Sequence, residues 1–341
     1  MMIDDNPVHA SALRALAAIS SVGRGTEALP VDAASGLWPV LERDGFTLPA
    51  VPAELGGAGG ETQDELAVIH AAAIAAARCP LPETAVAGAL LARAGHAVPA
   101  GPLTFTAEAG CSGLVLRDGA LDGRVTGLPW GRLAAHALLP LREGVAFVAL
   151  AGCTVEPGGN LAGEARDTVH FRAQRPLALL TALTADDLLL RGALMRSVQI
   201  CGAAQQALSL AIGHAGTRTQ FGKPLASFQA IQHQIAGAAS KLAAARISVD
   251  AAYHAVARGE GIERDVASAR INACLAGADC AAVAHQVHGA MGYAQEYDLH
   301  RHSSAIQAWR AEFGTLAFWA ERLGRQAADH PARDLWQFVT S

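Results

Sequence analysis

TRTQFGKPLASFQAIQHQ, residues 217–234, lies between two long apolar runs with helical spacing. Its centre, Gly222-Lys223-Pro224, cannot continue a helix because proline lacks an N–H donor and clashes with the preceding turn. Arg218, Phe221 and four side-chain amides surround this break. A planar guanidinium with several amides suits a flat, polar, anionic ligand such as a phosphorylated cofactor. A solvated corner between two helices is the alternative that spacing leaves open.

Composition bounds the class of protein. The chain has 341 residues, 51% of them hydrophobic and 17% charged, which predicts two or three packed units and little disorder. The net charge of −5 provides no basic surface for nucleic acid. Six scattered cysteines without a CxxC pair favour reduced thiols and a cytoplasmic protein. The apolar run from Ile69 to Ala77 is too short to cross a bilayer, so no membrane span is expected.

Residues 1–100 predict an N-terminal helical domain. The alanine-rich stretch from Thr62 to Arg78 predicts a helix capped by Thr62, with Glu65 completing a capping box. The Pro- and Gly-rich stretch 46–60 predicts a loop, and it is not a phosphate-cradling loop because no Lys-Ser/Thr follows its glycines. The other helices of this domain are predicted at Pro7–Ile19, Leu37–Gly45 and Glu83–Gly95.

Residues 101–190 predict a small antiparallel β domain. Gly, Pro and Asp punctuate short apolar runs, and the segment from Arg117 to Gly127 carries two Asp-Gly pairs of the kind that close hairpins. The strands are predicted around 114–116, 136–141 and 145–150.

Residues 191–341 predict a C-terminal four-helix bundle. The helical period returns at Ala193, and small residues dominate the predicted helix contacts. The three later helices are predicted at Phe228–Arg258, Glu263–Gly289 and Ala305–Ala327.

The stretch 285–293, HQVHGAMGY, is the second informative motif. His285 and His288 could ligate a metal at this spacing, but no third ligand of matching spacing stands near, so no metal is predicted. A helix end closed by glycine is the structural interpretation of the same residues.

Together, these two motifs resemble the signatures of the acyl-CoA dehydrogenase family. RTQFGKPL followed by Phe228-Gln229 resembles the turn where two subunits share a flavin. Gln286-x-x-Gly-x-x-Gly292-Tyr resembles the segment whose backbone amides approach the FAD diphosphate of the neighbouring subunit. The resemblance implies a mainly α fold with a central small β-barrel, and FAD as cofactor. It assigns cofactor contacts to Arg218, Gln220, Phe221, Gln229, Gln286, Gly289 and Gly292.

The same resemblance makes the catalytic base a question. In the family, a carboxylate removes the α proton of an acyl-CoA thioester while the β carbon gives hydride to the flavin. At the two usual positions of this base the chain has Arg310 and Met195. Glu312 is the nearest carboxylate and the candidate base. The alternative is that Glu312 is only a solvated residue on a helix. Arg196 is the candidate substrate-binding residue.

Two functions therefore follow from the resemblance. The first is an FAD-dependent acyl-CoA dehydrogenase of lipid catabolism, acting alone or as one subunit of a mixed oligomer. The second is a non-catalytic subunit that holds the flavin for a partner chain. The implied partners are an acyl-CoA substrate, an electron-accepting flavoprotein, and further subunits in a homo- or hetero-oligomeric dimer or tetramer. The β domain lacks the family's Ser-Asp that helps to hold the flavin ring; residues 104–110, TFTAEAG, stand in its region.

Overall fold

A computed structural model describes residues 3–20, 37–107, 111, 113–329 and 335–336. The chain forms two compact units, Met1–Met195 and Arg196–Ser341. Helix α5 (Ala185–Thr217) contains the boundary between them. Within the described residues, the helices before and after the strands match the predicted order of a helical, a β and a second helical region. The three domain boundaries themselves stay a prediction.

The N-terminal helices pack around an apolar cluster that includes Leu16, Trp38, Leu41 and Val68. Burial of these side chains is the main force that holds such short helices, which are marginal in isolation. Their bounds are Pro7–Ser20 (α1), Leu37–Arg43 (α2), Thr62–Ile74 (α3) and Leu81–Arg93 (α4).

The predicted cap of α3 is wrong by one residue. Thr62 is already helical, and the extended residue before it, Glu61, is the N-cap. The N–H of Glu61 donates to the Asp64 carboxylate at 2.9 Å, so the capping box uses Asp64. Glu65 instead is buried and accepts a hydrogen bond from Arg191 of α5 at 2.5 Å. Tertiary pairing of Glu65 thus overrides the local sequence pattern.

Eight short strands follow, in two four-stranded sheets of order β1-β4-β5-β8 and β2-β3-β7-β6. The pairing of β1 with β4 is parallel, which corrects the purely antiparallel prediction. A parallel pair needs a long crossover, and here β2 and β3 lie within it. The strands are Leu103–Phe105 (β1), Val115–Arg117 (β2), Ala120–Pro129 (β3), His136–Leu141 (β4), Gly144–Ala149 (β5), Thr154–Glu156 (β6), Arg166–Gln174 (β7) and Ala178–Leu180 (β8).

Only the first Asp-Gly pair closes a hairpin. Asp118 and Gly119 have φ values of 50° and 74° and join β2 to β3, as a two-residue turn of this hand requires. Asp122 and Gly123 lie inside β3 at a register shift. Gly123 has φ 121°, and a Cβ there would lie 2.0 Å from the carbonyl oxygen of Gly113. The second pair is therefore a bulge at a close backbone approach.

The second unit is helical, and its last predicted helix is split in two. The break falls at residues 310–315, where Phe313 and Gly314 have φ values of 50° and 89°. Thr315 then caps the next helix by accepting from the N–H of Phe318 at 3.2 Å. The helices after α5 are Gln229–Arg258 (α6), Ile262–His288 (α7), Leu299–Trp309 (α8) and Leu316–Ala328 (α9).

Among the described residues, the segment Ile262–Tyr293 is long and apolar enough to cross a membrane by length and composition alone. Core helices of soluble proteins pass the same test. In this segment, 56% of the most apolar window is buried within the protein. The predicted absence of a membrane span stays a prediction.

The six cysteines are free thiols, as predicted from their scattered spacing. Burial raises the pKa of Cys79 and of Cys201 to about 12. Neither thiol is therefore a thiolate nucleophile near neutral pH.

Close packing of α7 in the second unit can be tested at Gly277. A Cβ there would lie 2.5 Å from Cγ2 of Ile200 and 3.1 Å from Cγ2 of Ile306. We expect Gly277→Ala to lower the free energy of unfolding by about 1–3 kcal/mol, because a well-packed seam does not accept an extra methyl group. Urea denaturation measures this difference.

The matched control is Gly237→Ala on the exposed face of α6, where a Cβ meets no atom within 4 Å. Alanine should there stabilise the helix by about 0.5–1 kcal/mol. Equal stability of the two variants would contradict the described α7 packing.

Candidate functional site

The break in the stretch 217–234 is a two-stranded hairpin. Thr219–Gln220 (β9) pairs with Lys223–Pro224 (β10), and the turn between them consists of Phe221 and Gly222 with φ values of 52° and 77°. The predicted interruption of the helix is confirmed. The hairpin begins directly after Arg218, whose N–H still donates to the helix carbonyl of His214 at 2.8 Å.

The predicted cofactor residues of this hairpin region are exposed. Arg218, Gln220 and Gln229 are exposed, and Phe221 is 92% exposed. A positive φ is strained for a bulky side chain, and such strain clusters at functional sites. The ring of Phe221 meets Phe228 edge-on at 6.2 Å between centroids. This surface has the character of a ligand or subunit contact.

The second motif forms the end of α7 and a tight 3₁₀ turn, Gly289–Tyr293. Gly289 has φ 59° and ψ −139°, a conformation that essentially only glycine adopts, and a Cβ there would meet no atom within 4 Å. Gly292 is buried, and a Cβ there would crowd His285 and Leu299 at 3.1 Å. Gln286 is exposed. Gly289 thus leaves its backbone open to a ligand, whereas Gly292 serves packing.

The structure brings these two motifs together through their histidines. The ring of His214, one turn before Arg218, stacks on the ring of His288 with 4.5 Å between centroids. His288 directly precedes Gly289 and is itself buried. Arg218 and Gly289 therefore follow two residues that are in direct contact in the second unit, and their role in cofactor binding stays a prediction.

Glu312 is not on a helix and is largely buried, which corrects the alternative of a solvated helix residue. It lies in the break between α8 and α9, and its side chain is 18% exposed. Its Oε2 accepts a hydrogen bond from Nε of Arg196 at 2.8 Å. Arg196 is fully buried on α5, and its Nη1 donates to Gln199 at 2.5 Å. The guanidinium also lies over the ring of Phe313, 5.6 Å from the centroid.

A second buried arginine, Arg270 of α7, holds the backbone of the same loop. Its Nη2 donates to the carbonyl oxygens of Trp309 at 2.6 Å, Glu312 at 2.7 Å and Gly314 at 3.3 Å. Burial lowers its pKa from the usual range, and the cations Arg196 and Arg310 act in the same direction. The sequence analysis missed Arg270. Its signal was an arginine within the alanine-rich run of α7.

Charge balance explains what Glu312 does in this arrangement. Arg196 and Arg270 are both fully buried, and a buried cation is costly unless a carboxylate or several hydrogen bonds compensate it. Carbonyl oxygens accept hydrogen bonds from Arg270, and the Glu312 carboxylate compensates the charge of Arg196. Arg310, at one usual base position, is half-buried and donates to Gln307 at 2.8 Å. In this loop, Glu312 is thus the anion of an ion pair, and the nearby side chains Arg196, Arg270 and Arg310 are cations.

Hydroxyl groups at the start of the β domain are engaged within the protein. Thr104 is buried, and its hydroxyl donates to the carbonyl oxygen of Pro129 at 2.5 Å. The hydroxyl of Thr106 lies 3.5 Å from the carbonyl oxygen of Ala107. Residues 108–110 of the same predicted region lie outside the described residues. Thr104 thus has no surface to offer to a ligand.

A groove of about 810 Å³, which the sequence analysis did not predict, lies between α6, α7 and α9. Apolar side chains such as Ile247 and Leu323 line it together with the polar residues His254, Arg258 and Arg264. None of the predicted site residues lines this groove.

The sequence and the fold are similar to those of known proteins. Residues 184–328 match the family model described as the acyl-CoA dehydrogenase C-terminal domain. The chain is 32% identical over 266 residues to the acyl-CoA dehydrogenase IpdE2 of Mycobacterium tuberculosis, which covers 77% of this chain and 78% of that protein. It is 29% identical over 338 residues to the acyl-CoA dehydrogenase FadE34 of the same organism, covering 92% of this chain but 45% of the longer relative.

Among solved structures, the ChsE4-ChsE5 complex of Mycobacterium tuberculosis is similar, with a TM-score of 0.82 and 22% identity over 97% of this chain and 100% of that one. This likeness establishes the fold, an acyl-CoA dehydrogenase fold with helical, β and helical regions in that order. The identity to IpdE2 over most of both chains goes further. The chain belongs to the acyl-CoA dehydrogenase family, a family of flavoprotein oxidoreductases of lipid catabolism.

The ion pair at Glu312 has a measurable consequence for stability. We expect Glu312→Gln to lower the free energy of unfolding by about 3 kcal/mol, because it removes the charge that compensates buried Arg196. Urea denaturation at pH 7.5 measures the loss.

The control is Glu321→Gln in α9, whose salt bridge to Arg325 lies on the surface with both side chains more than half exposed. That variant should unfold like the wild type, because exposed pairs contribute little. Unchanged stability of Glu312→Gln would mean that the described pair is not made in solution.

Proposed function

We propose that this chain is the flavin-holding subunit of an acyl-CoA dehydrogenase that acts as a mixed oligomer, with the catalytic carboxylate supplied by another chain. The observation that carries the proposal is the ion pair of Glu312 with Arg196, 2.8 Å long and largely buried. A carboxylate engaged in this way would have to give up its partner to accept a proton from substrate, leaving a buried cation uncompensated.

Residues of the hairpin and of the α7 end fit the diphosphate part of FAD. Arg218 offers an exposed planar guanidinium that can contact phosphate with two hydrogen bonds. Gln220, Gln229 and Gln286 are exposed amides, and the open backbone at Gly289 admits close approach of a ligand. FAD, when bound, would supply the acceptor for the hydride that leaves the β carbon of the acyl group.

The described residues of this chain fit the flavin ring of FAD less well than its diphosphate. The Thr104 hydroxyl is bonded to Pro129, and the chain lacks the Ser-Asp pair. Residues that hold the ring would therefore come at least partly from another subunit. The almost fully exposed Phe221 is suited to pack against such a subunit.

Assembly with a different chain is favoured over a homo-oligomer by the missing base. A homodimer or homotetramer would have Arg310 and Met195 at the two usual base positions of every subunit. Arginine cannot act as a base near neutral pH, and methionine has no proton-accepting group. The similar solved structure is itself a complex of two differently named chains, ChsE4 and ChsE5. Acyl-CoA as substrate and a flavoprotein as electron acceptor belong to the same proposal, as does a cytoplasmic location.

A self-sufficient acyl-CoA dehydrogenase is the second candidate. The observation in its favour is that Glu312 stands in the loop nearest the expected base position and keeps 18% of its side chain exposed. In this case Glu312 would take the α proton and Arg196 would contact substrate. Both roles require the ion pair to open, because Arg196 has no exposed surface.

Anaerobic stopped-flow bleaching of the flavin by an acyl-CoA separates the two candidates. The experiment uses the natively purified complex carrying Glu312→Gln in this chain. If another chain supplies the base, the bleaching rate should stay within about threefold of the wild-type rate. If Glu312 is the base, the rate should fall by about a hundredfold to ten-thousandfold with FAD still bound.

Because Glu312→Gln is expected to destabilise the fold, a second variant is needed to separate a loss of activity from a loss of folded protein. Arg196→Met combined with Glu312→Gln removes both charges of the pair, a change that is often tolerated in a buried site. A slow rate in both folded, FAD-loaded variants would overturn the proposal. So would a flavin-loaded monomer in light scattering, because the proposed flavin site needs two subunits.

The cofactor assignment is tested at Arg218. Arg218→Ala should lower the affinity of the complex for FAD by at least about tenfold, because charge-assisted contacts to phosphate are lost. The FAD-to-protein ratio after ultrafiltration measures this. Arg325→Ala, an exposed arginine of α9, is the control and should keep FAD at the wild-type ratio. Full FAD occupancy in Arg218→Ala would show that the diphosphate lies elsewhere.

A further inference from the structure

Three aromatic rings lie in contact close to the two predicted cofactor segments. His214 of α5 stacks on His288 of α7 at 4.5 Å between centroids, with 26° between ring planes. His288 also lies near the ring of Tyr297, with 4.8 Å between centroids and 54° between ring planes. His214 precedes Arg218 by one helical turn, and His288 precedes Gly289 directly. The stack is thus a direct side-chain contact between the end of α5, just before the first segment, and the end of α7, just before the turn at Gly289.

The hydrogen bonds of His288 define which nitrogen carries its proton. Its Nδ1 lies 2.7 Å from the carbonyl oxygen of Ala284, which can only accept, so Nδ1 is the donor. Its Nε2 lies 2.8 Å from the hydroxyl of Tyr297 and accepts from it in the neutral ring. A second proton would occupy Nε2, remove that acceptor and place a charge on a ring that is 5% exposed.

The turn after α7 folds back over the same histidines. The ring of Tyr293 stacks on His285 at 4.4 Å, and Nε2 of His285 lies 2.9 Å from the hydroxyl of Ser303. A Cβ at Gly292 would lie 3.1 Å from both His285 and His288. The conformation of Gly289–Tyr293 therefore depends on where these rings lie.

We propose that the His214–His288 stack is the positioning element that joins the Arg218 hairpin to the Gly289–Tyr293 turn, and that the site holds an anionic diphosphate fully only while both rings are uncharged. This inference rests on the proposed function for the identity of the ligand. Two imidazolium rings at 4.5 Å would repel each other and separate the segments that they join.

Other groups around the stack decide the direction of its pH dependence. Helix α6 and the segment before it contribute the apolar side chains Leu225, Ile231 and Ile235 to a hydrophobic cluster that contains Ala215 and Val287, the sequence neighbours of His214 and His288. The titratable or charged groups near the stack come from the ends of α5 and α7 and from the segment before α8: Arg218, His285, Tyr297 and Asp298.

Burial, followed by the neighbouring His288 and Arg218, lowers the pKa of His214. Burial, followed by His288, lowers the pKa of His285. The pKa values of His214 and His285 are therefore lower in the folded protein than in the unfolded chain. The stability that comes from their neutral forms is fully present above the ordinary histidine pKa of about 6.5. This stability is lost as the pH falls below that value.

The test measures FAD retention by the holo complex at pH 7.5 and pH 5.5. Wild-type affinity should fall by at least about tenfold between the two. The variant His288→Phe with Tyr297→Phe keeps two aromatic rings in place and removes the His288 imidazole together with its hydrogen-bond partner, the Tyr297 hydroxyl. It should bind FAD within about threefold of wild type at pH 7.5. The change in log Kd for FAD between pH 7.5 and pH 5.5 should be at most about half of the wild-type change.

Three comparisons complete the design. His288→Ala removes the stack and should lower FAD affinity by at least about tenfold at both pH values. His96→Phe, at an exposed position of the first unit, should keep the wild-type profile. Unfolding is followed separately, because buried His302, whose pKa is lowered to about 4 by burial, also destabilises the fold in acid.

Amide hydrogen exchange of the protein without FAD separates this inference from the proposed function. Protection in 214–225 and 289–293 should fall together between pH 7.5 and 5.5 in the wild type, and less in the double phenylalanine variant. If FAD does not bind at either pH but protection of both segments still falls together, FAD is refuted as the ligand, while the positioning role of the His214–His288 stack is supported. Protection that does not change with pH, or tighter FAD binding at pH 5.5, would overturn the inference.

Discussion

The ion pair between Arg196 and Glu312 is the constraint on which the second unit depends. Arg196 is fully buried in α5, so its charge must be compensated where the chain returns between α8 and α9. Arg270 adds hydrogen bonds to three carbonyl oxygens of that return. The break in the last helix follows from this requirement, because an unbroken helix would use its carbonyl oxygens internally and could not offer them to Arg270.

The family's usual chemistry and this constraint compete for the same carboxylate. A general base must be able to accept a proton from substrate, whereas a partner of buried Arg196 must stay ionised. Glu312 meets the second demand with a 2.8 Å hydrogen bond. The surface around Arg218 and Gly289, in contrast, remains exposed and polar. These two facts together support the proposed division of labour between subunits.

Much of the fold could be predicted from local chemistry. Gly222 and Pro224 interrupt the helix as expected, and Asp118-Gly119 closes the predicted hairpin. The failures came where distant residues decide. Glu65 left the predicted capping box because Arg191 pairs with it across 126 residues. The parallel pairing of β1 with β4 also depends on a crossover that no short pattern reveals.

The sequence by itself determined the family and the two motifs of the proposed cofactor site, because close-approach glycines and a phosphate-binding arginine are local requirements. It also determined that both usual base positions lack a carboxylate. Only the tertiary structure decided what Glu312 does, and that His214 stacks on His288. Both contacts join residues that are far apart in the chain, separated by 116 and 74 residues (312 − 196 and 288 − 214). A side chain's protonation and role depend on which distant charges and rings surround it, and packing alone sets that.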